Sequence, residues 1–280
     1  MSAFLIWGFT PFYFRALGDL GAVEIIAHRV VWCIPFMLLV LTVSRQWPAT
    51  YAALSNRRVF FTLLASAALV SVNWSMYVFS IATDQLVASS LGYFLSPLVS
   101  VFLGFVILRE RPSLVQWIAV ALAASAVTSQ FIAYGSLPWI ALVIAFSFGI
   151  YGIIRKTVSA SSAVGLFVEC LLLSPFSLAF LFWLEWQGTG GFGSKGLNFD
   201  LLIITAGIIT GVPLLMFAAS ARRIRLTTIG LIQYFTPSVY LVLAVWFFGE
   251  TFGANELVSF GLLWVGLFLY SGEVWRTRQV

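Results

Sequence analysis

Four ionisable side chains interrupt otherwise apolar runs of this sequence, and any chemistry beyond packing starts with them. Glu24 and His28 stand four apart, on one face of a helix, and Arg29 follows directly; Glu169 is alone in its run. A charge near the centre of a bilayer costs about 3 kcal/mol on insertion scales, so such groups face a cavity or a partner. Burial drives a carboxylate toward its neutral form unless a nearby cation holds it ionised. The set therefore points to proton coupling, with Glu169 as the first candidate and Glu24 and His28 as lesser ones, or to ion pairing with Arg29 as the cation. A direct Arg29 to Glu169 contact needs both groups near a common axis, and without it Glu169 is left to titrate.

A second group is polar but neutral. Ser66, Asn73, Tyr77 and Ser80 fall on one helical stripe with Trp74 beside it, and Ser89, Tyr93, Ser96 and Ser100 follow the spacing i, i+4, i+7, i+11. The serines read as interhelical glue. Asn73, Tyr77 and Tyr93 carry larger polar groups that need water or a partner, and are expected to face a cavity. Pro97 and Pro237 each fall at the middle of an apolar run, where proline removes a helix hydrogen bond and frees the carbonyls of Tyr93 and Gln233. Proline is common in membrane helices, but its repetition beside polar and aromatic neighbours favours a hinge or a solute-lining role.

Enzymatic constellations are poorly supplied. His28 is the sole histidine, which removes HExxH zinc chemistry and any pair of histidine ligands. Asp19, Asp84 and Asp200 lie in loops or at run ends, so no buried aspartate dyad can form, and no GxSxG elbow accompanies the serines. Cys33 and Cys170 sit in apolar surroundings and read as packing residues. The loop from Gly188 to Gly196 looks like a phosphate loop, but Lys195 is one place too late for GxxxxGK[ST]. It reads as a flexible connector. Neither a cofactor nor a metal site is expected.

The elements that carry these residues are membrane helices. Hydrophobic residues make up 61% of the chain and charged ones 9%, against about 25% charged in soluble domains. Continuously apolar runs of about 18 to 25 residues match a helix crossing some 30 Å of hydrocarbon, whereas a barrel would show shorter alternating segments. Ten spans emerge, roughly 3–17, 22–43, 59–82, 86–108, 114–133, 137–154, 163–184, 201–221, 226–248 and 256–274. The first is short, about 22 Å at 1.5 Å per residue, and holds Gly8, Pro11 and Arg15.

A shift of 140 positions maps the chain onto itself, carrying Arg15 to Arg155, Pro35 to Pro175, Pro97 to Pro237 and Glu110 to Glu250. It also sets Arg29 opposite Glu169. The fold class is an all-α polytopic membrane protein of ten transmembrane helices in two five-helix repeats, 1–135 and 136–280. An odd number of crossings per repeat inverts the second copy, as in many secondary transporters. Basic residues test the count. With the N-terminus inside, twelve of the fifteen Lys and Arg residues are cytoplasmic, only Arg15 and Lys195 are outside, and Arg29 lies within a span. Basic residues scattered over short loops argue against nucleic acid as a partner; the partners expected are the lipid bilayer, a small organic solute and protons. The chain opens without a basic region ahead of its first apolar run, so no cleavable signal peptide is expected.

The segments WGFTPFYF from Trp7, EIIAHRVVW from Glu24, NW at Asn73, SLGYFLSPLVSVFLG from Ser90, LRER from Leu108, AFSFGIYGIIRK from Ala145, VPLLMF from Val212 and RIRLTTIGLIQYFTP from Arg223 carry a further reading. Over nearly its whole length the chain resembles the RarD-type members of the EamA group in the drug/metabolite transporter superfamily. The resemblance implies an inner-membrane transporter of ten helices with a central cavity among the first, third, fourth, sixth, eighth and ninth spans. Trp7, Asn73, Tyr77, Tyr93, Tyr151, Gln233 and Tyr234 would line it, with Trp74 alongside. Family members usually carry extra residues ahead of the first span, so the start of this sequence is expected to be incomplete. The function expected is secondary transport of a small organic metabolite or drug by alternating access of the two repeats. The alternatives are an intramembrane enzyme, which the residue inventory opposes, and a passive channel, for which no filter signature is present.

Overall fold

The structure, a computed structural model, describes residues 2–18, 20–109, 111–223 and 235–277. Its elements are α1 (Ser2–Ala16), α2 (Ala22–Val43), α3 (Trp47–Ser55), α4 (Arg57–Ala82), α5 (Leu86–Leu108), α6 (Leu114–Tyr134), α7 (Trp139–Thr157), α8 (Ser162–Trp186), α9 (Leu197–Arg223), α10 (Phe235–Val242) and α11 (Ala254–Thr277). A π-helical turn, Leu243–Phe247, extends α10. Among the described residues there is no strand. Among the described residues eight helices are long and apolar enough to cross a membrane alone. The shorter α1 and α10 with its π turn complete the ten crossings.

One element departs from the sequence reading, which placed only a loop between residues 43 and 59. Helix α3 forms there because Pro48 presets the backbone of its first turn. At nine residues it is far too short to span. Asn56 ends it and starts α4, its side chain accepting from the Arg58 and Val59 N–H groups at 3.0 and 3.2 Å.

Helix ends remote in sequence contact one another at the two faces of the bundle. On the face where α1 begins, Ser161 donates to Gln46 and Trp47 packs against Phe167. On the opposite face Arg15 pairs with Asp84, and Glu250 accepts from the backbone N–H groups of Leu86 and Val87, each at 2.8 Å. Glu250 thereby caps the start of α5 from another part of the chain, placing a carboxylate at a helix N-terminus.

The packing obeys the inverted repeat. Helices α2 and α8 are repeat equivalents and pack on each other, as do α6 and α11. The pairs α4–α7, α5–α7 and α2–α9 have the counterparts α9–α1, α10–α1 and α8–α4. All of these join the first five spans to the last five, so the repeats interleave. Lipid tails are as apolar as leucine, so this association needs small residues that let backbones approach. Gly207 supplies that contact: a Cβ there would lie 2.7 Å from the Cys33 nitrogen and still closer to the Trp32 carbonyl. The Gly207 to Gly211 pair is thus a packing device, as its spacing suggests.

Candidate solute cavity

The helical stripes of α1, α2, α4, α5, α7, α9 and α10 converge on one cavity of about 60 Å³. Trp7, Arg29, Asn73, Trp74, Tyr77, Tyr93, Tyr151 and Pro237, all singled out in the sequence, line it. Phe4, Thr10, Phe14, Phe148, Thr236 and Tyr240 line it as well and were missed. Part of this was available: Trp7, Thr10 and Phe14 follow i, i+3, i+7, the same one-face spacing used for the serine stripes. Gln233 and Tyr234 lie outside the described residues.

Hydroxyls and rings close the cavity toward the opposite face. Thr10 Oγ1 donates to the Trp7 carbonyl at 2.7 Å and shares hydrogen bonds with the Tyr77 hydroxyl at 2.9 Å and that of Tyr240 at 3.5 Å. The Tyr77 and Tyr240 rings stack at 5.2 Å, and Tyr93 sits edge-on to both. Beyond them Phe14, Leu17, Ile81, Leu86, Leu243 and Ala244 form a buried apolar plug.

Asn73 was expected to need water or a partner, and its partners are protein groups. Its Nδ2 donates to the Ile144 carbonyl at 3.1 Å and to Ser147 at 3.0 Å, while its Oδ1 accepts from Tyr93 at 3.3 Å. It therefore orients Tyr93 and ties α4 to α7. The serines make local or interhelical bonds, Ser80 with Ser89 and Ser66 with Glu169. Pro237 faces the cavity and its carbonyl accepts from Ser90 at 2.8 Å. Pro97 is buried at the middle of α5 and does not line the cavity.

The charged residues divide into three settings. Arg29 lies at the cavity, its Nε donating to Thr210 at 3.0 Å and its guanidinium carbon over the Trp74 ring at 4.6 Å and the Phe14 ring at 5.0 Å. Glu169 is fully buried in α8, accepts from Ser66 at 2.6 Å and has Arg155 Nη1 at 3.4 Å and the Tyr151 hydroxyl at 3.5 Å. Its cation is Arg155, not Arg29, so the absence of an Arg29 contact does not leave the carboxylate alone. The expected span 137–154 leaves Arg155 just beyond its cytoplasmic end. Its side chain instead runs back over Gly165, where any Cβ would collide with the guanidinium. Tyr151 belongs to both sites, since it lines the cavity and reaches Glu169.

Glu24 and His28 lie outside the cavity. Glu24 accepts from the Gly191 N–H at 2.7 Å and sits 3.8 Å from His28, while Phe192 packs on the rings of His28 and Trp32. This corrects the reading of residues 188–196 as a free connector. The loop is docked on the end of α2, because a buried carboxylate there needs a donor and the loop backbone provides it.

The comparisons with known proteins agree with this architecture. The EamA-like transporter family matches residues 1–129 and again 137–272. Protein RarD of Salmonella typhi is 40% identical over 279 residues, covering 100% of this chain and 95% of its own. An uncharacterized transporter of Vibrio cholerae is 38% identical, covering 97% of this chain and 90% of its own. The chloramphenicol-sensitive protein RarD of Pseudomonas aeruginosa is 30% identical, covering 96% and 91%. A solved crystal structure superposes with a TM-score of 0.65 at 14% identity, over 96% of this chain and 95% of that one, a likeness of fold. Ten inverted crossings and these relatives make the chain a multi-pass membrane transporter of the drug/metabolite type. It belongs to the EamA-like transporter family and is RarD-like within it.

Proposed function

We propose that this protein is a secondary transporter that carries a small organic solute across the cytoplasmic membrane by alternating access, with both termini in the cytoplasm. The observation that supports this best is the convergence of aromatic and polar side chains from seven helices on one cavity, closed on one face, at the centre of an inverted repeat. At about 60 Å³ the cavity is far smaller than the roughly 300 to 1,000 Å³ of ligand pockets, so it must widen to accept a solute.

The interleaved packing sets how it widens. Rocking residues 1–135 as a rigid body against 136–280 would part α5 from α7, α2 from α8 and α6 from α11 together. Bending part of a helix about a hinge leaves the rest of these contacts in place. The elements suited to it are the equivalent spans α5 and α10, with Pro97 and Pro237 as hinges and a π turn in α10 where α5 stays α-helical. Such turns recur at functional sites. Protons are the proposed coupling ion, with Glu169 as the group that takes part through Tyr151.

Uptake and efflux in proteoliposomes, with a metabolite library and with or without a proton gradient, tests this. Saturable flux is expected, and no flux for any solute in folded protein would sink it. Tyr93→Ala is expected to raise the apparent KM about five- to tenfold, the scale of one aromatic contact; an unchanged KM removes Tyr93 from the site. For orientation, a cysteine at Lys195 is expected to react with an impermeant reagent in intact cells and one at Arg57 is not. The reverse pattern would invert the topology.

A further inference from the structure

Arg29 is the one charged side chain among the described residues that line the cavity, and it has no carboxylate partner there. It is 6% exposed, and among the described residues its Nη1 has no hydrogen-bond partner. The described carboxylates of Glu169, Glu24 and Glu250 are engaged elsewhere. Glu169 has Arg155 and Ser66, Glu24 has Gly191, and Glu250 has the N-terminus of α5. Among the described residues, what holds the guanidinium is one threonine hydroxyl and two aromatic faces. Ring faces offset only part of the cost of a buried charge. A guanidinium kept in a membrane interior with a free donor edge is a receptor for an anion, and its planar fork matches a carboxylate.

We infer that the solute is an organic monocarboxylate with an apolar or aromatic body, its carboxylate bound by Arg29 and its body set against the tyrosine and tryptophan rings. Resting on the transporter reading above, this names the chemistry of its substrate. One cation suits one negative charge, so dicarboxylates and phosphate esters carry a charge that the described lining leaves uncompensated. Organic ammonium ions are disfavoured by the same guanidinium, since the described lining has no acidic residue.

The test uses the full-length protein in nanodiscs and in proteoliposomes. Phenylacetate, hexanoate and their close homologues are compared with the matching primary amides and amines. Binding is read by quenching of tryptophan fluorescence, since Trp7 and Trp74 line the cavity, and transport by counterflow. The carboxylates are expected to bind at least about tenfold more tightly than their amides, the scale of a charge-assisted hydrogen bond. Arg29→Gln should erase that preference and Arg29→Lys should retain part of it. Equal binding of amides and carboxylates by the wild type overturns the inference, as does failure of every carboxylate to bind. A folded Arg29→Gln protein with the preference intact overturns it too; if that variant does not fold, the wild-type comparison and Arg29→Lys decide. Carboxylate binding without counterflow would overturn the transporter reading and leave the anion site standing. Counterflow of neutral solutes with no carboxylate preference would do the opposite.

Discussion

Gly207→Leu is expected to leave little or no folded protein. The Cβ of any residue at this position would enter the backbone of α2 at Trp32 and Cys33, and backbone cannot rotate aside as a flexible side chain can. Overpacking a core costs about 1 to 3 kcal/mol when side chains give way, and here a whole helix has to shift. The loss should reach about 3 kcal/mol or more. Because α2 also packs on α8, the repeat-equivalent contact would loosen with it. Gly261→Ala is the control: nothing stands within 4 Å of a Cβ there, and removing a mid-helix glycine should be neutral or add up to about 1 kcal/mol. Thermal unfolding and monodispersity in detergent measure both. A Gly207→Leu protein as stable as wild type would show that the two helices are not in this contact.

Arg155→Met is expected to be the most damaging change at the buried charge cluster. Its partner Glu169 is 1% exposed, and breaking a buried pair from one side costs about 3 to 5 kcal/mol because a charge is left without compensation. Arg155→Met combined with Glu169→Gln should recover most of that loss, since the amide still accepts from Ser66. Equal stability of the single and double variants would show that the two side chains are not coupled. The same pair separates structure from transport. The double variant leaves neither charge unpaired and has no carboxylate to titrate, so a proton-coupling role predicts that its downhill exchange persists while gradient-driven accumulation is lost. Unchanged accumulation across pH in that variant would assign Glu169 to stability alone.

The helices themselves were readable because a membrane imposes one length on every crossing. Expected spans such as 163–184 and 86–108 sit within Ser162–Trp186 and on Leu86–Leu108. The cavity was readable in part, since polar residues on one stripe of an apolar helix must meet something other than lipid. That argument found Asn73, Tyr77 and Tyr93, and it overlooked Thr10 and Tyr240 because a single hydroxyl among apolar neighbours looks like ordinary packing. Helix α3 was not readable, being too short and too mixed to show a period. The docking of Gly191 on Glu24 was not readable either, as nothing local to a glycine-rich loop tells which buried acceptor it will serve.

From residue order alone came the number of crossings, the two inverted copies and the presence of intramembrane charge. These follow from hydrophobic length, register and charge along one dimension of the chain. Which charges meet was decided only by the tertiary structure. Repeat equivalence sets Arg29 and Glu169 at matching depths, but the interleaving of the repeats separates them. Arg155 folds back over Gly165 to reach Glu169, and Arg29 faces the cavity with a donor free. The physical reason is range: pairing acts over a few ångströms, and such distances are set by where helices remote in sequence touch, as Gly207 touches Trp32.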